Sequence, residues 1–421
     1  MLSKLRPKSS YARNVITLMT GTSLAQAIPI AISPILTRLY GPDDFGVFAL
    51  FLAVTSILSI LATGRYELAI LLPKKDRDAI HVMTLSIALS CLVGVLLLIT
   101  VFFFEQQIAL LIDAPEIRDW LYWTPVSIML TGIYQSLNYW SNRKAQFKHL
   151  AISRIVQSGT ASLGQLGAGY ISNAGSGGLI GGHLIGQAFS SAVLASRVCR
   201  EDQALIRGLE RNRVLALAKK YVRFPKYLIL AHGFNTASSQ LPVFLLGVLF
   251  SSATAGFYSL TQRVLAAPMT LVASALADVF RQEASHSFRH TGRCVEIYEK
   301  TFKRLLIVST IPFLLFFFIA PDLFSFVFGG AWRTAGEYAQ ILTPMFFLRF
   351  ITSPLSSMYL IAEKQKVDLI WQAVLLTLTV SSFFIGYLNK DIELILWLFS
   401  GSYCLMYAIN GFFSYRLAYG K

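Results

Sequence analysis

Five arginines stand inside or at the mouths of otherwise apolar stretches: Arg38, Arg65, Arg263, Arg281 and Arg349. Against them stand Glu67 and Asp278. A guanidinium presents its donors as a planar fork that matches phosphate oxygens in two places at once, so such a set suits an anion. Arg349 lies deepest in apolar sequence. A charge near the centre of a membrane helix costs at least ~2.5–3.5 kcal/mol on insertion scales and therefore faces water, a partner or a ligand. Two readings stay open for Arg349: a salt bridge to Asp278 or another buried acid, and an anion contact. Arg38 could pair locally with Asp43 or Asp44, and Arg65 could reach out to lipid phosphate. Gln26, Asn138 and Asn235 add amides suited to a polar cargo. Glu67, Asp278 and His232 are the titratable groups that could carry a coupling ion. The rings of Tyr122, Trp123, Tyr134, Tyr139 and Trp140 could stack on sugar faces, although Tyr122 and Trp123 fit the aromatic belt of a membrane interface better.

The elements that must position these residues follow from composition. The apolar residues AVILMFWYC make up 55% of the chain and charged residues 14%, against about 25% charge in a soluble domain. The charges are clumped, leaving apolar runs of the roughly 20 residues that cross a bilayer. Twelve such runs centre near residues 27, 55, 92, 130, 163, 188, 239, 267, 317, 351, 378 and 404. Lipid leaves every backbone N–H and C=O to be paired internally, so at these lengths the spans are helices. The class is an all-α membrane protein.

The net charge of +15 raises nucleic acid as a partner, and its placement removes it. With both termini in the cytoplasm, the lysines and arginines fall on inside segments except Arg38, Arg118, Arg333 and Lys390 in outside loops and Arg263 and Arg349 in spans. That imbalance is the positive-inside rule. The N-terminal run is too long for a cleaved signal peptide and reads as the first span. Cys91, Cys199, Cys294 and Cys404 make no disulfide or metal framework. Neither a G-x-x-x-x-G-K-[ST] nor an H-E-x-x-H motif occurs, so nothing points to a metal, a cofactor or ATP chemistry within the chain. Energy would come from an ion gradient, the membrane potential or the cargo's own gradient.

Residues 197–226 form the longest hydrophilic segment, basic and amphipathic, and suited to the inner membrane surface. They divide the chain into a six-helix bundle at 1–196 and another at 227–421. The halves echo each other: "FGVFALFLAV" from Phe45 aligns with "AGFYSLTQRV" from Ala255, and "YWTPVSIML" from Tyr122 with "ILTPMFFL" from Ile341. Six spans per half gives a parallel pseudo-repeat, the arrangement in which transporters hold substrate between halves and alternate access. Both lead helices carry a polar face, Thr22, Ser23, Gln26, Ser33 and Thr37 in the first and His232, Asn235, Thr236 and Ser239 in the seventh. Arg263, Thr270, Ser274 and Asp278 form a stripe on the eighth. In "GGLIGGHLIGQ", Gly178, Gly182 and Gly186 make a small-xxx-small packing stripe, with His183 as an inter-helix hydrogen bond.

"GTSLAQAIPIAISPILTRLYGPDDFGVFALF" followed by "GRYELAILLPKKDRDAI" resembles the N-terminal signature of bacterial O-antigen and related polysaccharide flippases. These belong to the multidrug/oligosaccharidyl-lipid/polysaccharide exporter superfamily. The resemblance is strong over residues 14–80 and carries over Arg38, Arg65 and Glu67. Arg263 and Arg349 rest on the stripe argument alone. The family implies a V-shaped pair of bundles around a cationic cavity, and no enzymatic activity. It also implies transfer of undecaprenyl-pyrophosphate-linked oligosaccharide from the cytoplasmic to the periplasmic leaflet of the bacterial inner membrane, during assembly of O-antigen or a similar glycan. Polymerase and chain-length-control proteins would be candidate partners beside membrane lipids. One rival is a multidrug exporter of the same superfamily, which would want acidic residues for cationic cargo. Another is a polytopic glycan polymerase, which would want a large outside loop, whereas the longest here spans only Glu105–Asp119.

Overall fold

A computed structural model of the chain describes residues 10–112, 120–172 and 175–420, and every regular element among them is helical. In order they are α1 (Ser10–Leu39), α2 (Pro42–Ala62), α3 (Tyr66–Ala69), α4 (Asp76–Ile112), α5 (Trp123–Arg143), α6 (Phe147–Ser172), α7 (Gly175–Glu201), α8 (Gln203–Arg207) and α9 (Arg211–Lys220). There follow α10 (Ile229–Leu249), α11 (Ser252–Pro268), α12 (Ser274–Thr291), α13 (Val295–Phe328), α14 (Arg333–Thr352), α15 (Met358–Ile361), α16 (Gln365–Asn389) and α17 (Ile392–Ala418).

Each of the twelve expected centres falls within a helix. Seven segments, in α1, α2, α4, α7, α13, α16 and α17, are long and apolar enough by themselves to cross a membrane. The others are more polar, and in them hydroxyls bond either a neighbouring helix or a carbonyl of their own helix, as Ser238 and Thr343 do. In α5, Ser136 Oγ donates to Ser86 Oγ at 2.7 Å and Ser127 Oγ to Gln187 Oε1 at 3.1 Å. Such pairing lets a polar helix sit in an apolar surround. The chain is a multi-pass, all-α membrane protein.

Contacts group the helices into two compact units, Met1–Gly256 and Phe257–Lys421. Within the first unit α2 packs against α4, α5, α7 and α10. It starts cleanly: Pro42 fills its first turn, and the Asp44 carboxylate accepts the Gly41 N–H at 3.0 Å. Asp43 and Asp44 also place negative charge at the positive end of the helix dipole.

Helices α6 and α7 meet along the glycine stripe. A Cβ on Gly186 would lie 2.6 Å from the Gln157 carbonyl oxygen, while one on Gly181 would meet open space. Gly186→Leu should therefore lower the thermal midpoint of the purified protein by an overpacking cost of about 1–3 kcal/mol. Gly181→Leu should leave it near wild type. The inter-helix bond comes from a different residue than expected. His183 Nε2 contacts Gln187 Nε2 of its own helix at 3.1 Å, and Gln187 reaches α5 through Ser127 and Thr131. In a helix a side chain four residues on is the nearer neighbour.

The basic segment after α7 has part of its apolar side covered by protein, while Leu215 and Val222 stay exposed. Leu217 and Tyr221 join a buried cluster with Tyr66, Ile70, Ile80 and Trp140. Tyr66 donates its hydroxyl to the Ala218 carbonyl at 2.9 Å, and Arg213 Nε donates to Asp78 at 2.6 Å. Trp140 is spent here rather than on a sugar: fully buried, it donates to Asp202 Oδ2 at 2.8 Å. Lys144 bridges Asp202 and Asp76. Burial works against its charge, and those two carboxylates outweigh it, so its pKa is raised.

In the second unit α14 packs between α13 and α17, and α16 lies on α17. A π-helical turn, Met269–Ala273, separates α11 from α12, and a 3-10 turn, Pro354–Ser357, separates α14 from α15. Cys294, at the start of α13, is buried with its thiol 3.5 Å from Met358 Sδ, and burial pushes its pKa up to about 11. Because the thiolate is the nucleophile, a maleimide at pH 8 should modify exposed Cys199 and spare Cys294. Labelling of Cys294 should appear only as the pH approaches 11, read by peptide mass spectrometry.

Candidate functional site

The first cluster forms where α2 turns into α3. The turn needs two left-handed residues in succession, Gly64 at φ +59° and Arg65 at φ +61°. Glycine adopts that conformation freely, whereas a residue with a Cβ pays roughly 1–2 kcal/mol. Strain of this kind persists where the surrounding structure enforces it, often at functional positions. Here the consequence is to turn Arg65 back beside Glu67: Nη1 lies 3.3 Å from Glu67 Oε1. Thr63 donates its hydroxyl to the other carboxylate oxygen, and Thr63 Oγ1 accepts the Arg65 backbone N–H at 3.3 Å. The Glu67 side chain is 1% exposed and that of Arg65 15%. Arg65 Nε is bonded to no group among the described residues, which leaves a donor for a ligand.

Two further helices bring groups to this cluster. His232 on α10 and Tyr139 on α5 both lie within electrostatic reach of Arg65 and Glu67. Residues far apart in the sequence thus converge: a cation, a buried carboxylate, an imidazole and a phenol. Such a group sets an arginine beside two titratable side chains, Glu67 and His232. Asn138 is half-buried beside this region, but its Nδ2 donates to Tyr134 OH at 3.4 Å, in a chain that runs on to Ser153 of α6.

Arg38 is not part of this cluster. It is exposed at the far end of α2, and the 21 residues of that helix span about 30 Å at ~1.5 Å per residue. One diphosphate cannot touch both arginines. Among the described residues no carboxylate pairs with Arg38; Asp44 serves the helix cap instead. Gln26 is exposed on α1, whereas Ser33 and Thr37 donate to the carbonyls of Pro29 and Pro34 in their own helix. Tyr122 donates to Glu105 at 2.8 Å and Trp123 is exposed, as an interfacial belt requires. The side chains of Asn235 and Thr270 lie outside the described residues.

The second unit holds a cluster of its own around Arg349. This residue sits in the last turn of α14, where the chain breaks before Pro354. The expected acid is absent: among the described residues no ion pair joins Arg349 to Asp278, which is exposed on α12. Aromatic rings take that place. The guanidinium lies 5.8 Å from the centroid of Phe346 and within electrostatic reach of Tyr258, Tyr403 and Tyr407. Tyr403 stacks at 4.4 Å on Phe399 and accepts the Thr379 hydroxyl at 3.4 Å; Tyr407 packs at 5.6 Å from Trp371. A cation held by rings keeps its charge available to a ligand, and the half-buried Tyr403 offers a face to a sugar.

The stripe through Arg263, Thr270, Ser274 and Asp278 does not survive as one face. The wider π turn at Met269–Ala273 carries more residues per turn than an α-helix and shifts the phase, so Arg263 is half-buried on α11 and Asp278 exposed on α12. The sequence reading also left out Thr63, Tyr258, Tyr403 and Tyr407. Signals existed for some of these: Thr63 opens the Gly-Arg turn, and Tyr403 and Tyr407 stand four apart on one helix face.

Comparison with known proteins agrees with this architecture. The profile of the polysaccharide biosynthesis protein family matches residues 35–337. The lipid II flippase MurJ in an inward closed conformation shares the fold at a TM-score of 0.73 and 13% identity, covering 96% of this chain and 87% of that one. An inward-facing multidrug resistance MATE family transporter of the MOP superfamily is similar at a TM-score of 0.69 and 15% identity, covering 95% of both chains. A MOP superfamily transporter from Pyrococcus furiosus, described as having a binding pocket of reverse polarity, gives 0.60 and 14%, covering 96% and 95%. No curated protein matches the chain significantly in sequence. The chain belongs to the polysaccharide biosynthesis protein family and shares its fold with the lipid II flippase MurJ and with MATE family transporters.

Proposed function

We propose that this chain is a flippase for undecaprenyl-pyrophosphate-linked oligosaccharide, an O-antigen or similar repeat unit, carried from the cytoplasmic to the periplasmic leaflet of a bacterial inner membrane by alternating access. Both termini are cytoplasmic, and two six-helix bundles, 1–196 and 227–421, carry out the exchange. The observation that carries this reading is Arg349, a half-buried cation packed on Phe346, within electrostatic reach of Tyr258, Tyr403 and Tyr407 and with no ion pair among the described residues. A cargo with a phosphate and a sugar uses both parts of that environment.

Arg65 is the second phosphate contact. Glu67 and His232 are the groups we assign to the coupling ion, since Glu67 is held by the same Arg65 that meets the phosphate and His232 lies within electrostatic reach of both. We assign Arg263, Gln26, Asn138 and Asn235 as further contacts to the cargo, with Arg38 as a contact at the outer end of translocation. Polymerase and chain-length-control proteins receive the product.

The test is translocation of a fluorescent diphosphate-linked oligosaccharyl lipid in inside-out vesicles. Movement that depends on the chain, with no export of organic cations, supports the proposal. Export of organic cations without movement of the lipid would instead identify a multidrug antiporter.

A further inference from the structure

The second unit contains a cavity of about 490 Å³ apart from the Arg349 cluster, well above the ~30 Å³ share of a single water. Arg281 of α12 and Asp368 of α16 both line it, with Ser356 and Ser357 of the intervening 3-10 turn between apolar walls that include Met269 and Leu360. Opposite charges sharing a cavity would ordinarily close into a salt bridge. These do not: among the described residues no ion pair joins them, Arg281 has no partner, and Asp368 accepts only the Gln372 amide, at 2.9 Å through Oδ2. The two charges sit on different helices, and the Ser356 and Ser357 hydroxyls that share the cavity donate to the Ser353 and Pro354 carbonyls. Exposed apolar side chains neighbour the lining residues in sequence: Val272 in the π turn beside Ala273, Val279 on α12, Leu369 and Ile370 on α16 after Asp368, and Leu360 of α15, which itself lines the cavity.

A ligand that satisfies this arrangement carries an anion and a cation on one short head, with hydrocarbon leading away from it. We propose that the cavity binds the headgroup of a phosphoethanolamine phospholipid. Its phosphodiester lies on Arg281, its primary ammonium donates to Asp368, and its acyl chains run along the exposed valines and leucines. A choline head fits poorly, because three methyl groups remove the N–H donors that the carboxylate would accept. A glycerol head satisfies Arg281 but offers Asp368 only neutral hydroxyl donors, without the positive charge of an ammonium. The inference is independent of the cargo assignment, since it uses neither Arg65 nor Arg349.

The test is lipid retention by the full-length protein, measured by native mass spectrometry in detergent with added phosphatidylethanolamine, phosphatidylcholine or phosphatidylglycerol. The ethanolamine lipid should be retained at least tenfold more than the choline lipid. Asp368→Asn should reduce its retention to that of the glycerol lipid, and Arg281→Gln should abolish retention of both. Should either variant fail to fold, Ser357→Cys in the otherwise unaltered chain serves instead: the ethanolamine lipid, and not the choline lipid, should slow its modification by a maleimide. Equal retention of all three lipids would overturn the proposal, as would a preference that survives both substitutions. So would protection of the introduced cysteine by a diphosphate-linked lipid in place of the ethanolamine lipid, which would assign the cavity to cargo.

Discussion

Arg65→Ala should destabilise the protein by about 3–5 kcal/mol, and a second substitution, Glu67→Gln, should restore most of that loss without restoring transport. The first expectation follows from burial. Glu67 is almost fully enclosed, with Arg65 and Thr63 as its hydrogen-bond partners, and removing one member of a buried pair strands the other charge. Replacing the carboxylate with an amide removes that stranded charge and keeps an acceptor for Thr63. The second expectation follows from the phosphate contact proposed for Arg65, which also lies within electrostatic reach of His232 and Tyr139. Thermal unfolding in detergent and translocation in vesicles, measured on both variants, separate the two roles. Transport recovered by the double variant would reduce Arg65 to a structural partner of Glu67.

Arg349→Ala should behave in the opposite way. No carboxylate is stranded by its loss among the described residues, so the stability cost is that of one cation–π contact, about 0.5–2 kcal/mol. Transport should fall at least tenfold, because a hydrogen bond to a charged group is worth about 1.5–3 kcal/mol. Arg349→Lys keeps the charge and loses the fork, so it should recover only part of the activity. Tyr403→Phe should leave transport nearly intact if the ring face meets a sugar, and Tyr403→Ala should not. A loss of folding that matches the loss of transport in Arg349→Ala would remove it from the site.

Much of this was legible in the sequence, for identifiable reasons. Charge clumping locates the helices, since lipid excludes both charge and unpaired backbone. Arg65 and Glu67 stood out as charges at a helix mouth, and the Gly64–Arg65 pair marks the turn that joins them. The glycines at 178, 182 and 186 announced the close approach of α6 to α7. What stayed hidden was tertiary. Helical periodicity placed Arg263 and Asp278 on one stripe, and a π turn broke that phase. For Arg349 the sequence left a salt bridge and an anion contact open; the tyrosines within its electrostatic reach come from α11 and α17, and no local pattern links Tyr258, Tyr403 and Tyr407 to it. Trp140 passed for a sugar platform until its indole met Asp202, 62 residues away. The separation of Arg38 from Arg65 was in reach all along, since the length of α2 alone forbids a shared ligand.

Binding of a polyprenyl lipid that bears either a diphosphate or an uncharged linkage to the same oligosaccharide tests the phosphate-by-arginine claim most directly. Wild-type protein in detergent should prefer the diphosphate by tenfold to hundredfold, about one to two units of 1.4 kcal/mol. That preference should shrink in the folded variants Arg349→Ala and Arg65→Ala/Glu67→Gln. Equal affinity for the two lipids, or a preference unchanged in both variants, would contradict it.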